Sequence, residues 1–168
     1  YKVLMLEEHK NVGFPLHCSG LVTPRTLHEA NVGKDLVLNE IMGALVFGPH
    51  GKMLELGGNK LHALVLNRPM LDQKLAVQAQ AKGTDLKMGA KVIKIEQNDD
   101  SCSLLVKENG VHRIISSPLV VGADGIRSVV SKSMGNFSGE IIGGVGAEAT
   151  LKGHPPNLVQ IFVGHGIA

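Results

Sequence analysis

Residues 119–131 constrain the fold of this chain more than any other segment. They read Leu-Val-Val-Gly-Ala-Asp-Gly-Ile-Arg-Ser-Val-Val-Ser, an apolar run that stops at Gly122 and passes Asp124 and Gly125 before a predicted helix. Such a run is typical of a buried parallel strand whose carboxyl end faces a ligand. The glycines permit a tight turn, the carboxylate can accept hydrogen bonds from sugar hydroxyls, and a helix start offers N–H groups to phosphate. We therefore predict a ligand-facing turn, with a plain strand-to-helix turn and a capping aspartate as the alternative.

The composition excludes several classes of protein. The 168 residues, 43% hydrophobic and 19% charged, are typical of a packed globular domain. A net charge of +2, one Tyr and no Trp give no basis for nucleic-acid binding. Cys18 and Cys102 fit neither a disulfide framework nor a metal site, so we expect no metal and a reducing compartment. No apolar run could span a bilayer, so we expect a cytoplasmic protein, with peripheral membrane contact left open.

A short apolar run opens the chain and ends at an acid. Residues 2–6 precede Glu7 and Glu8, a pattern typical of a parallel strand covered on both faces. In the second strand of a nucleotide-binding βαβ unit, an acid at this position can accept hydrogen bonds from the adenosine ribose. Glu7 follows the strand directly and is the better placed, while a solvated charge is the alternative. The G-x-G-x-x-G loop of such a unit would precede Tyr1, so we expect the chain to be an internal piece of a longer protein.

The other predicted elements are short helices and strands. We predict helices from an N-cap at Thr23 to about Ala30 and from Asn67 to Gly83. Strands at 41–47, 52–56 and 61–66 are predicted to form one antiparallel sheet. Strands at 91–96, 102–107 and 111–116 are predicted to form a β-meander, with a hairpin turn at residues 109–110. Further strands are predicted at 140–151 and 157–164.

The turn at residues 122–128 resembles the G-A-D-G-x-x-S motif of FAD-dependent oxidoreductases related to the aromatic-ring hydroxylases. The matching residues are Gly122, Ala123, Asp124, Gly125 and Ser128. In that family the aspartate holds the ribityl and pyrophosphate region of FAD. The resemblance therefore implies FAD as the cofactor and a cofactor-binding role for Gly122, Asp124, Gly125 and Ser128, together with Glu7.

The loop after the first strand narrows the resemblance to the geranylgeranyl reductase branch. Its members show a V-G-x-P-x-x-C-x-G pattern near the flavin, matched here by Val12, Gly13, Pro15, Cys18 and Gly20. The resemblance implies that Cys18 lies near the isoalloxazine or substrate tunnel, as a candidate catalytic residue without an assigned role. Gly20 would allow close backbone approach and line the substrate site. The alternative for Cys18 is a buried structural thiol.

Four more candidate residues complete the predicted site. Arg68 begins a match to the family's R-x-x-F/L-D-x-x-L element, in which the arginine sits beside the cofactor, and its guanidinium suits phosphate or flavin oxygens. An unpaired surface arginine is the alternative. Val92 aligns with the position where the family's backbone contacts adenine. His50 is placed along the substrate site, and His17 and His50 are candidate proton donors.

The resemblance implies an α/β fold with α+β elements. Residues 1–33 and 67–134 would belong to a glutathione-reductase-type FAD-binding domain with a β-meander. Residues 34–66 and 135–168 would belong to an antiparallel substrate sheet.

The implied activity is reduction of C=C bonds of an isoprenoid lipid by hydride transfer from reduced flavin. Its partners would be an isoprenoid or other hydrophobic small molecule and an unknown electron donor. An FAD monooxygenase sharing Asp124 and Arg68, an electron-transfer flavoprotein acting on quinone, and a scaffold that binds nothing remain as alternatives.

Overall fold

The computed structural model describes residues 1–135 and 140–164 of the chain. The helices of these residues are α1 (Arg25–Glu29), α2 (Arg68–Ala81) and α3 (Val129–Ser133). The strands are β1 (Leu4–Glu7), β2 (Leu21–Val22), β3 (Val37–Ile41), β4 (Gly43–Phe47), β5 (Met53–Gly57), β6 (Ala63–Leu66), β7 (Asp85–Met88), β8 (Ala90–Gln97), β9 (Cys102–Glu108), β10 (Val111–Ser117) and β11 (Leu158–Phe162).

The chain divides into two compact units, each made of two segments. The meander unit comprises Tyr1–Val12 and Ala76–Gly144, and the two-sheet unit comprises Gly13–Leu75 and Val145–Ala168. Residues 13–33 and 67–75, predicted to belong to the FAD-binding domain, lie in the two-sheet unit. Residues 136–139 and 165–168, predicted to belong to the substrate domain, lie outside the described residues. Because a compact unit is not defined by what it binds, the functional division of the chain stays a prediction.

A parallel strand pair opens the meander unit. β1 runs parallel to β7, and the register places Glu7 opposite Met88 at the carboxyl ends of both strands. The parallel strand is as predicted, although β7 itself is not among the predicted strands. The predicted cover on both faces of β1 is wrong, because Leu4 and Met5 are 41% and 42% exposed. Within the described residues β1 and β7 form a two-stranded sheet, which leaves much of each face open.

The β-meander forms as predicted. β8, β9 and β10 pair antiparallel in that order, and the turn between the last two contains Asn109 and Gly110 with φ of 50° and 82°. Both values lie in the left-handed region that a tight hairpin turn requires and that Asn and Gly tolerate. One face of the meander carries the core of the unit, which consists of buried Ala90, Leu104 and Val106 with partly buried Leu6, Val92, Ile95, Ile115 and Val120 around them.

The predicted strand at residues 119–122 does not form. These residues have no regular secondary structure, and Leu119 and Val121 are 75% and 80% exposed. A strand exists only through backbone pairing with a neighbour, and no strand of the described ranges pairs with this segment. Val120 alone packs against the core of the meander unit. The apolar sequence therefore anchors the segment through one side chain instead of a ladder of hydrogen bonds.

The two-sheet unit contains two three-stranded sheets where the sequence predicts one antiparallel sheet. β2, β6 and β3 form the first, and β11, β4 and β5 form the second, in which β11 is parallel to β4. The chain changes sheets at Met42, whose N–H donates to Asn157 and whose carbonyl accepts from Gly58. Gly43 follows, and a Cβ there would lie 2.3 Å from the Leu56 carbonyl oxygen. Close approach of two strands at this corner therefore requires a glycine.

The strands predicted on either side of His154 have opposite outcomes. The strand predicted at 157–164 is present as β11. The strand predicted at 140–151 is wrong, because these residues form no strand and Ile142 and Val145 are 89% and 103% exposed. An apolar run stays irregular where the described structure provides no strand for it to pair with.

The helices begin and end close to their predicted limits. α1 ends at Glu29, but Pro24 is its N-cap, and Thr23 contributes its carbonyl, not its side chain, to the N–H of Thr26. Asn67 caps α2 as its position predicts, since its Oδ1 accepts from the N–H of Met70 at 3.1 Å. α2 buries Leu71 in a core cluster formed with Leu36, Leu64 and Leu66.

Two glycines place the loop of residues 13–20 on the junction between β6 and α2. A Cβ on Gly13 would lie 2.6 Å from Pro69 Cα, and a Cβ on Gly20 would lie 2.2 Å from the Leu66 carbonyl oxygen. Both glycines have positive φ, 82° and 78°. The N–H of Leu66 donates to the carbonyl of Gly20 at 2.9 Å. The predicted close backbone approach at Gly20 therefore occurs, and within the chain its partner is Leu66.

We expect Gly20→Ala to destabilise the two-sheet unit far more than Gly51→Ala. Both glycines have positive φ, but nothing lies within 4 Å of a Cβ on Gly51. The left-handed conformation costs about 1 to 2 kcal/mol for alanine at either position, and the backbone clash at Gly20 should add about 1 to 3 kcal/mol. Urea unfolding followed by circular dichroism measures both, and equal losses would show that the contact with Leu66 does not constrain the fold.

Candidate functional site

The carboxylate of Asp124 is held at the start of α3. Its Oδ1 accepts from the hydroxyl of Ser128 at 2.6 Å, and its Oδ2 accepts from the N–H groups of Val129 at 2.6 Å and Val130 at 3.4 Å. The Ser128 hydroxyl oxygen in turn accepts from the N–H of Ser131 at 2.9 Å. The predicted turn into a helix is therefore present, as a 3-10 turn over Gly125–Arg127 followed by α3.

These bonds correct the prediction that the helix start offers free N–H groups to phosphate. The first N–H groups of α3 already donate to Asp124 and Ser128, so the capping alternative describes this end of the helix. Partial burial opposes the charged form of Asp124, but the bonds from Ser128 and Val129 lower its pKa below the ordinary value for aspartate. The carboxylate is thus ionised and oriented before any ligand arrives.

The two glycines of this turn have different reasons to lack a side chain. A Cβ on Gly122 would lie 2.6 Å from the Cβ of Val130, so Gly122 lets the turn approach α3. Gly125 has φ of +71°, and a Cβ there would meet nothing within 4 Å. Space beside Gly125 is therefore open, as a turn that faces a ligand requires.

Glu7 lies at the end of β1 and its carboxylate is held on one oxygen. Oε1 lies 2.7 Å from both the backbone nitrogen and the Nδ1 atom of His9. The neighbouring Glu8 forms an ion pair with Lys91, 2.6 Å from Oε2 to Nζ. The hydrogen bond from Lys91 lowers the pKa of Glu8, despite slight desolvation. The two adjacent acids thus differ. Glu8 forms an ion pair with a residue of β8, whereas Oε2 of Glu7 makes no hydrogen bond to the described residues.

The meander unit brings the predicted residues Glu7, Val92 and Asp124 onto segments that share one core. Leu6, directly before Glu7, Val92, and Val120, four residues before Asp124, all pack against the same buried cluster of the meander. Among the described residues no hydrogen bond or ion pair links Glu7 to Asp124. The structure therefore anchors the segments of both acids on one hydrophobic cluster. Contact of both acids with a single ligand stays a prediction.

The two-sheet unit brings Cys18, Gly20 and Arg68 together. The Cys18 Sγ accepts from the N–H of Gly20 at 3.4 Å, and Arg68 pairs with Asp72 one turn along α2, at 3.2 Å from Nη2 to Oδ1. Partial burial opposes the charge of Arg68, but Asp72 and, to a smaller degree, Cys18 raise its pKa above the ordinary value. The thiol and the guanidinium are therefore electrostatic neighbours, and Arg68 is not the unpaired surface arginine of the alternative interpretation.

One hydrogen-bond donor of Arg68 has no acceptor among the described residues. Its Nε atom is buried and has no hydrogen-bond partner among the described residues. A buried donor without an acceptor costs about 1 to 3 kcal/mol, so the position fits a ligand oxygen. Cys18 is exposed, which makes the alternative of a buried structural thiol wrong.

His50 belongs to the second sheet of the two-sheet unit. It occupies the exposed turn Pro49–Gly51 with a φ of 62°, between β4 and β5. No hydrogen bond or ion pair with the described residues defines a role for it, and its position along a substrate site stays a prediction. The other candidate proton donor, His17, is exposed beside Cys18.

Sequence reasoning did not find His9 or Lys91, which set the two acids after β1 apart. Neither residue belongs to a recognisable motif: His9 contacts Glu7 two residues before it, and Lys91 reaches Glu8 from β8. No helix among residues 1–135 and 140–164 has the length and apolar character needed to cross a membrane.

Known proteins resemble the chain in both sequence and fold. A family model described as FAD binding domain matches residues 17–151. A digeranylgeranylglycerophospholipid reductase of Methanococcus vannielii is 25% identical over 134 residues, covering 80% of this chain and 34% of the reductase. A geranylgeranyl bacteriochlorophyll reductase-like structure from Thermoplasma acidophilum superposes with a TM-score of 0.77 at 21% identity, over 98% of this chain and 44% of that one. The p-nitrophenol 4-monooxygenase of Pseudomonas putida superposes with a TM-score of 0.65 at 17% identity, over 80% and 37%.

The chain belongs to the FAD-binding domain family, since the match covers most of its residues. Its cofactor is FAD, and the α/β flavoprotein fold predicted from the sequence is confirmed. The unused Arg68 Nε and the open side of Gly125 fit such a ligand, which carries many acceptor oxygens. The chain spans only about a third of the reductase relative.

We expect Asp124→Ala to loosen the start of α3 at neutral pH. The variant loses the oxygens that accept from the N–H groups of Val129 and Val130, and loss of such a cap costs about 1 kcal/mol. Hydrogen exchange at these two amides should therefore accelerate roughly fivefold. Because the folded pKa is lowered, wild-type protection is present above the ordinary aspartate range and is lost as pH falls through the folded value. Equal exchange in wild type and variant at neutral pH would contradict the capping role.

Proposed function

We propose that this chain is the flavin-binding part of an FAD-dependent oxidoreductase of the geranylgeranyl reductase type. The observation that carries the proposal is the folding of the loop of residues 13–20 onto the start of α2, which sets Cys18 beside Arg68. This loop carries the pattern that distinguishes the reductase branch, and the names of the reductase relatives agree with it. In this proposal, residues 1–33 and 67–134 form the cofactor-binding part of the chain.

We assign the cofactor contacts as follows. The oriented carboxylate of Asp124 faces the ribityl and pyrophosphate region, with Gly122, Gly125 and Ser128 shaping the turn. Glu7 accepts from the adenosine ribose, and Val92 lies at the adenine. Arg68 donates from Nε to an oxygen of the cofactor, which satisfies its buried donor. FAD, when bound and reduced, supplies a hydride.

The proposed substrate is an isoprenoid lipid whose C=C bonds are reduced. One face of the second sheet supports a hydrophobic substrate, because the strand register places only aliphatic side chains on it: Ala44, Val46, Leu54, Leu56, Val159 and Ile161. Leu54 is 57% exposed and Leu56 is 48% exposed. Such a face excludes water from a bound chain. Cys18, Gly20 and His50 are proposed to lie along the substrate site. The proposal also includes a separate electron donor for the flavin and peripheral contact with the membrane that holds the lipid.

An FAD monooxygenase is the second candidate. The fold similarity to a monooxygenase supports it, because cofactor residues such as Asp124 and Arg68 serve either chemistry. The cysteine loop favours the reductase. The two candidates differ in whether a bound substrate gains hydrogen or oxygen.

Product analysis distinguishes the two candidates. We expect the protein, loaded with FAD and given dithionite under anaerobic conditions, to add two hydrogen atoms per double bond to a geranylgeranyl lipid. Mass spectrometry of the extracted lipid measures the number of hydrogen atoms added. An oxygenated product formed from an aromatic substrate in air, with no lipid reduction, would replace the reductase with the monooxygenase.

We expect Arg68→Lys to weaken FAD binding about tenfold. The variant keeps the positive charge but removes the Nε donor, and a hydrogen bond to a charged group is worth roughly 1.5 to 3 kcal/mol. Arg25→Lys is the matched control, since Arg25 forms the same one-turn pair with Glu29, 3.0 Å from Nε to Oε1, on an exposed surface. Fluorescence titration of the flavin-free protein with FAD measures both. Equal affinities in the two variants would remove Arg68 from the cofactor site.

A further inference from the structure

We infer that His9 is the positioning residue that prepares Glu7 for the adenosine ribose of FAD, an inference that rests on the proposed role of Glu7. The contact that carries it is between neighbouring side chains at the end of β1. The backbone nitrogen and the Nδ1 atom of His9 both lie 2.7 Å from Glu7 Oε1. Since an ionised carboxylate only accepts, Nδ1 carries the proton and donates it to Oε1.

His9 is itself fixed by the sheet. Its carbonyl accepts from the N–H of Gly89 at 2.9 Å, and Gly89, with φ of +68°, forms the turn between β7 and β8. Glu7 is held by its pairing with Met88. The backbones of Glu7 and His9 are thus both held by β7 and the turn that follows it, which keeps the two side chains within hydrogen-bonding reach of each other.

This arrangement leaves one Glu7 oxygen for a ligand. Both bonds from His9 go to Oε1, and Oε2 makes no hydrogen bond to the described residues. The Glu7 side chain is 37% exposed, so Oε2 is reachable. Glu8 cannot substitute, because Lys91 holds its carboxylate. His9 therefore selects the rotamer in which Glu7 presents a single acceptor oxygen to the vicinal hydroxyls of a ribose.

The test compares FAD with FMN, which lacks the adenosine half. Flavin-free protein is titrated with each, and dissociation constants are measured by flavin fluorescence. His9→Ala should weaken FAD binding about fivefold to tenfold, as expected for a lost charge-assisted hydrogen bond, and should leave FMN binding unchanged. His9→Asn should restore FAD binding, because the amide Nδ2 can replace Nδ1 as the donor. His112→Ala, at an exposed histidine of β10, is the control and should bind both as wild type.

A mutant cycle with Glu7→Ala links the effect to Glu7. On that background His9→Ala should cause no further loss of FAD affinity, because the carboxylate that it orients is gone. If Glu7→Ala weakens FAD binding but His9→Ala does not, the inference about His9 fails and the role of Glu7 stands. If Glu7→Ala binds FAD normally, the ribose assignment fails and His9 loses its function with it. Equal loss of FMN and FAD in His9→Ala, without rescue by His9→Asn, would reduce His9 to a structural residue.

Discussion

The close packing of a glycine-containing loop on the start of α2 is the constraint on which the candidate site depends. Leu66 and Pro69 leave no room for side chains at Gly20 and Gly13, so the loop lies against the backbone itself. Cys18 is carried by this loop and Arg68 by the helix it covers, and their proximity follows from the packing. The same packing buries the Nε atom of Arg68, which has no hydrogen-bond partner among the described residues.

Two carboxylates of the meander unit, those of Glu7 and Asp124, are held by residues that follow them closely in sequence. Asp124 is held by Ser128 and the first amides of α3, and Glu7 by His9. Hydrogen bonds over so few residues form wherever the local backbone forms. They order these side chains without a ligand, which lowers the cost of any binding that uses them. The same bonds occupy the first amides of α3.

Much of the fold could be predicted from the sequence because its signals are local. The hairpin at residues 109–110, the meander and α2 with its Asn67 cap depend on turn residues and nearest neighbours. The strand at 119–122 could not be predicted correctly, because an apolar run becomes a strand only when another strand pairs with it, and the described chain places none there. The separation of β3 and β4 into different sheets likewise depends on Asn157, a distant residue.

The sequence by itself determined the family and the cofactor and indicated the candidate site residues, because the motifs around Asp124 and Cys18 are short and match the spacing of the family patterns. Only the tertiary structure decided which neighbours surround those residues and how far they are buried. It paired Glu8 with Lys91 and tied the backbone of His9 to Gly89, and it buried the Nε atom of Arg68, which has no hydrogen-bond partner within the described ranges. Hydrogen bonding between distant segments depends on which strands and helices become neighbours, and that choice is made by packing over the whole unit.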